Sequence, residues 1–164
     1  MSLFDLTGRV ALVTGGARGL GEASSRTLAR LGAVIVLSDI DAEAASATAD
    51  RLANETGAQV LARGCDVTDP DDVDRLVSGL IEELGRLDIL VNNAGIHRRV
   101  DPLDYDLDDV EAILAVNFRG AFQVAARVGR EMTRLGGGSI VNISALGGGI
   151  SGLGRAGSVY CMTK

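Results

Sequence analysis

Short apolar runs alternate five times along this chain with stretches of helical period. The first run, Val10-Ala11-Leu12-Val13, breaks into a turn containing Gly15, Gly16, Gly19 and Gly21, and Leu20, Ala23, Leu28 and Leu31 then recur at helical spacing. A continuous apolar run suits a strand buried on both faces, and the period after it suits a helix lying on that strand. The second strand is predicted at Ala33-Val34-Ile35-Val36-Leu37, followed by a helix from about Asp41 to Glu55 with Ala44, Ala45, Thr48 and Leu52 inward. A third, around Val60-Leu61-Ala62, ends at Cys65-Asp66-Val67. Thr68-Asp69-Pro70 then signals a helix start, and Val73, Leu76, Val77, Leu80, Ile81 and Leu84 form its apolar stripe up to Gly85. The fourth strand, Leu87-Asp88-Ile89-Leu90-Val91, leads directly into Asn92-Asn93-Ala94-Gly95.

A longer helix is predicted after Asp106, running to about Arg134, with Val110, Ile113, Leu114, Ala121, Val124 and Val128 on one side. Asn117 falls on that same side. A buried amide needs hydrogen-bond partners, because leaving it unpaired costs about 1–3 kcal/mol. The fifth strand is Ser139-Ile140-Val141-Asn142-Ile143. The stretch from Gly147 to Gly157 has six glycines and no period, which reads as a mobile loop, and Ser158 to Lys164 reads as the first turn of a helix. The alternation predicts an α/β fold.

Composition narrows the picture. A chain of 164 residues with 46% hydrophobic content can bury one core, so one domain over residues 1–164 is expected. No run is long and apolar enough for a membrane span or secretory signal, which points to a cytoplasmic protein with no membrane partner. The net charge of −6 and the 3% aromatic content argue against a nucleic-acid partner. Two cysteines, Cys65 and Cys161, and one histidine, His97, give no basis for a metal site or a disulfide scaffold.

The residues with chemical potential all follow strands. In open parallel sheets ligands bind beyond the carboxyl ends of the strands, where Gly15 to Gly21, Asp39, Asp66, Asn93-Ala94-Gly95 and Ser144 all fall. Glycines at a strand-to-helix turn let a phosphate approach free N–H groups and the positive end of the helix dipole. Asp39, eighteen positions after Gly21, stands where an acidic residue accepts from the adenosine ribose hydroxyls. This predicts NAD as cofactor and NADP less, since the carboxylate repels a 2′-phosphate; Arg18 in the turn attracts one. Tyr160 and Lys164, four apart, face the same way on a helix, placing an ammonium beside a phenol. A free phenol titrates near 10, and poising one near 7 takes about 4 kcal/mol of preferential phenolate stabilisation. Tyr160 would then exchange a proton with an alcohol or carbonyl substrate as general base or acid.

These residues identify a family resemblance covering nearly the whole chain. Thr14, Gly15, Gly19 and Gly21 match the Thr-Gly-x-x-x-Gly-x-Gly turn of the short-chain dehydrogenases/reductases, Asn92 to Gly95 their Asn-Asn-Ala-Gly, and Tyr160 and Lys164 their Tyr-x-x-x-Lys. The resemblance implies a Rossmann-like, doubly wound parallel sheet with five strands visible, and an oxidoreductase moving hydride between a nicotinamide cofactor and a small alcohol or carbonyl compound. It implies a cofactor site of Gly15, Arg18, Gly19, Leu20, Gly21, Asp39, Ile40, Asp66, Val67, Asn93, Ala94, Gly95, Tyr160 and Lys164. Within it, Asp66 and Val67 flank the adenine, and Lys164 also binds the nicotinamide ribose. Asn117, Ser144, Tyr160 and Lys164 are the implied catalytic set, with Asn117 holding a water of the proton relay, and the full-length enzyme is implied to be a homo-oligomer, a dimer or tetramer.

Two departures from the pattern carry consequences. The family's catalytic serine usually stands one place later than Ser144, where this chain has Ala145; Ser144 is the choice, with Ser151 and Ser158 as alternatives and loss of the serine as another. Family members also continue well past the lysine, so the C-terminal part of the usual fold is expected to lie beyond these residues. The competing reading is a catalytically silent dinucleotide-binding module, which Ala145 favours and the intact Asn117, Tyr160 and Lys164 oppose. A P-loop ATPase is excluded because no Gly-Lys-Ser/Thr follows the glycine turn.

Overall fold

A computed structural model describes residues 4–101, 103–145 and 158–164. Five strands, β1 (Val10–Thr14), β2 (Val34–Asp39), β3 (Val60–Gly64), β4 (Ile89–Asn92) and β5 (Ser139–Asn142), form one parallel sheet in the order β3-β2-β1-β4-β5. Helices α1 (Gly19–Arg30), α2 (Ala42–Thr56), α3 (Pro70–Leu84), α4 (Leu107–Leu114), α5 (Ala121–Arg134) and α6 (Ser158–Thr163) accompany it. Val10 and Leu12 of β1 pack with α3 and α5 through Val73, Val77, Val124 and Val128. Ala11, with Ile35 and Leu37 of β2, packs on the opposite side with Ala29 of α1 and Ala49 and Leu52 of α2. Alternate side chains of β1 thus feed two apolar layers, which explains why its sequence is continuously apolar.

The helix signals act as expected. Asp41 and Asp69 cap α2 and α3 by accepting from the N–H groups of Ala44 and Asp71. Gly57 and Gly85 end those helices at φ 71° and 72°, in the left-handed region glycine adopts without penalty.

The elements differ from the sequence expectation at several strand ends and within the long helix after Asp106. Strand β2 runs on through Ser38 and Asp39, because ladder pairing with Arg63 and Gly64 carries it past its apolar residues. Strand β4 begins at Ile89, although Leu87 is buried just before it. The long helix after Asp106 divides, with a π-helical turn over Ala115–Gly120 joining α4 to α5. Gly120 lies so close to α3's entry loop that a Cβ there would stand 3.0 Å from the Val67 carbonyl oxygen. The glycine-rich 147–157 stretch read as a loop, including Ser151, lies outside the described residues.

Because the strands are parallel and in register, β1, β2, β4 and β5 end on one edge at Thr14, Ser38-Asp39, Asn92 and Asn142. Between β1 and β4 the chain order reverses, opening the crevice where such sheets bind ligands.

Candidate active site

Thr14 ends β1 beside that crevice and organises it. Its hydroxyl oxygen accepts from the N–H groups of Asn93 and Ala94, each at 3.0 Å. The Asn93 amide answers by donating to the carbonyls of Thr14 and Gly15, also at 3.0 Å. The glycine turn and the loop after β4 are therefore laced together. Gly15, at φ 62°, takes a left-handed conformation that suits glycine, and a Cβ there would press within 3.0 Å of Ala94 Cα. A Cβ on Gly21 would collide with the Gly15 carbonyl oxygen, so α1 can start this close to β1 only with glycine there. Arg18 precedes α1 without capping it through its side chain, leaving the first-turn amides free of a side-chain cap.

At the end of β2, Asp39 accepts from Ala17 N–H at 3.1 Å and from Asp41 N–H at 3.2 Å, which fixes its carboxylate over the turn. The Arg18 guanidinium does not face this carboxylate's ligand side unopposed; it is paired with Asp41 at 2.9 Å. Asp66 accepts from both the N–H and the hydroxyl of Thr68 at 2.8 Å, shaping the loop after β3. Val67 is buried, and its carbonyl accepts from the Gln123 amide. Leu20 and Ile40 are exposed at the mouth.

Asn117, in the π-helical turn and 3% exposed, satisfies its amide completely across three elements. Its Oδ1 accepts from Ile96 N–H at 2.8 Å, and its Nδ2 donates to the Ile96 carbonyl at 3.0 Å and to Thr163 Oγ1 at 3.1 Å. Lys164, half-buried, points its ammonium at the Ala94 carbonyl at 3.2 Å, and burial lowers its pKa from the ordinary value. Gly95 makes space for it, since a Cβ there would lie 2.8 Å from Lys164 Cε and Nζ. Ser144 is exposed, and its hydroxyl donates to the Lys164 carbonyl at 2.7 Å.

These loops enclose a cavity of about 530 Å³. Of the residues singled out from sequence, Gly15, Arg18, Leu20, Asp39, Ile40, Asp66, Val67, Asn93, Ala94, Gly95, Tyr160 and Lys164 line it; Gly19, Gly21, Asn117 and Ser144 do not. The sequence model of the short chain dehydrogenases matches residues 9–164. The chain belongs to the short-chain dehydrogenase/reductase family. A D-threitol dehydrogenase of Mycolicibacterium smegmatis is 42% identical over 87% of this chain and 54% of its own length. A short-chain type dehydrogenase/reductase from Mycobacterium marinum superposes with a TM-score of 0.94 at 35% identity, over 99% of this chain and 64% of that one. The crystal structure of an NAD+-bound xylitol dehydrogenase gives 0.91 at 32% identity, over 97% and 60%. The chain thus spans between half and two thirds of the length of these relatives.

The cavity fits the dinucleotide expected in this family. A Cβ at Gly15 would press on Ala94 beside the cavity, its β2 end offers a fixed carboxylate, and its lining includes an orphaned polar atom. That atom is Ser38 Oγ, buried without a hydrogen bond of ordinary geometry; the Cys65 thiol beside it is a weak partner, pushed up to about 11 by burial and then by the Asp72 charge. Ser38, Cys65, Ile96, Val116 and Ile143 complete the lining and were not foreseen. Ser38, Cys65, Ile96 and Ile143 directly adjoin Asp39, Asp66, Gly95 and Ser144, a signal available in the sequence; Val116 had only its adjacency to Asn117 in the interior of a helix.

Proposed function

We propose that this chain carries the cofactor site and proton-transfer group of an NAD-dependent oxidoreductase that interconverts a hydroxyl and a carbonyl on a small polyhydroxylated molecule. The observation that carries this reading is the meeting, in one cavity, of the glycine turn and Asp39 at one end with Tyr160 and Lys164 at the other. The relatives named for D-threitol and xylitol support the substrate class.

The nicotinamide, when bound, supplies the hydride acceptor for alcohol oxidation and the donor for carbonyl reduction. Tyr160 takes the hydroxyl proton in the first direction and returns it in the second. Lys164, held at the Ala94 carbonyl, brings a positive charge into the cavity that Tyr160 also lines. Asn117, its amide taken up by Ile96 and Thr163, keeps the Ile96 loop and α6 in place beside the reacting groups. Ser144 enters at the end of β5, where its hydroxyl must turn from the Lys164 carbonyl to meet a substrate oxygen. The NAD preference rests on Asp39 together with Asp41, which occupies Arg18. The full-length protein is proposed to be a homo-oligomer, a reading supported by Phe118 and Phe122, four apart and 61% and 71% exposed.

The test is titration of the full chain with NADH and NADPH, followed by NAD reduction with D-threitol and xylitol. NADH is expected to bind more tightly, and Tyr160→Phe to keep that binding while losing alcohol-dependent reduction. Turnover intact in Tyr160→Phe overturns the proton-transfer role, and NADH binding with no turnover of any alcohol marks a silent binding module. Asp41→Ala, by freeing Arg18, is expected to raise NADPH affinity by up to about fivefold, the equivalent of an exposed charge pair of about 1 kcal/mol.

A further inference from the structure

His97, the single histidine of the chain, meets Tyr160 in a T-shaped ring pair, with centroids 5.0 Å apart and planes at 77°. The pair is built into the framework. His97 directly follows Ile96, whose N–H and carbonyl are both bonded by the Asn117 amide. The same amide donates to Thr163 Oγ1, and that hydroxyl in turn donates to the Tyr160 carbonyl at 2.9 Å. One buried side chain therefore fixes the backbone on which each ring is mounted. His97 itself is exposed and Tyr160 is half-buried, so the ring pair lies at the rim of the cavity that Tyr160 lines.

We propose that His97 is a positioning residue for Tyr160: its ring buttresses the phenol and holds the hydroxyl in the orientation needed for proton transfer. This rests on the role given to Tyr160 above. Edge-to-face aromatic pairs bias the packed arrangement by about two- to tenfold over alternatives, and small misplacements of a reacting group are costly to rate. What matters is a planar ring at this position, so phenylalanine should serve as well as histidine.

The experiment compares His97→Ala and His97→Phe in the full chain, with D-threitol or xylitol as substrate. His97→Ala should lower kcat about five- to tenfold with KM and NADH affinity changed less than about twofold, and His97→Phe should restore kcat. The primary deuterium isotope effect on kcat should rise in His97→Ala, as a misplaced phenol makes the chemical step slower. A substrate-free readout stands beside these: the aromatic NMR resonances of Tyr160, assigned by their loss in Tyr160→Phe, should move toward random-coil positions in His97→Ala and stay dispersed in His97→Phe. Unchanged kcat and resonances in His97→Ala overturn the proposal, as does a His97→Phe enzyme as impaired as His97→Ala. If Tyr160→Phe remains active, the proton-transfer reading fails on its own, and the resonances still decide whether His97 orients the ring.

Discussion

Gly95 shows how one missing methyl group serves the site. The Lys164 chain passes across its Cα, and Asn117 Oδ1 lies 3.2 Å from where a Cβ would be. In Gly95→Ala the neighbour that yields is the flexible end of the lysine, because the Asn117 amide is fixed by three hydrogen bonds. The fold should survive, with a urea midpoint near that of the wild type, while the ammonium leaves the Ala94 carbonyl and turnover falls by about tenfold or more. A variant with normal turnover would show that the place of Lys164 is unimportant. The sequence motif contained this glycine, but its reason was not readable there, since Lys164 is 69 positions away.

At the scale of elements, Asp88 governs how β4 is laid against β1. Its carboxylate accepts from Val10 N–H at 2.9 Å and from the guanidinium groups of Arg86 and Arg9. Burial pushes this carboxyl up, but the donors from Arg86, Val10 and Arg9 outweigh it and hold the pKa at about 2, against an ordinary 3.8. A folded-state value below the unfolded one means that the unfolded chain binds the extra proton. The contribution is therefore complete above about pH 4 and is lost as pH falls through 2. Asp88→Asn should cost about 2 kcal/mol at neutral pH, read from urea unfolding, and the difference from wild type should shrink toward pH 2. The helices and strands were largely legible, because burial on both faces writes itself as apolar runs and burial on one face as a helical stripe. The π-helical turn was not. Its residues, Ala115 to Gly120, continue the helical period, and the wider turn is set by contact of Gly120 with Val67 and by the partners of Asn117.

Across the whole molecule, ion pairs bind the two helices on one side of the sheet. Glu22 of α1 pairs with Arg51 of α2 at 2.6 Å and with Arg26 at 2.5 Å, while Glu55 of α2 pairs with Arg26 and Arg30. Hydrogen bonds from Arg51 and then Arg26 hold the Glu22 carboxyl at about 2. Several members are exposed, so Glu22→Gln should cost no more than about 1 kcal/mol in urea unfolding, and less in high salt. The same distinction between local and distant causes separates what sequence and structure each determined. The amino-acid order alone established the alternating strands and helices, their caps, and the glycine, acidic and asparagine residues at the strand ends, because period, turn chemistry and capping depend on near neighbours. Only the tertiary structure decided that the β1 turn and the β4 loop share Thr14, that Arg18 is occupied by Asp41, that Ser144 bonds to Lys164, and that His97 stands against Tyr160. Those contacts follow from the order β3-β2-β1-β4-β5 and from packing across it, which no local pattern encodes.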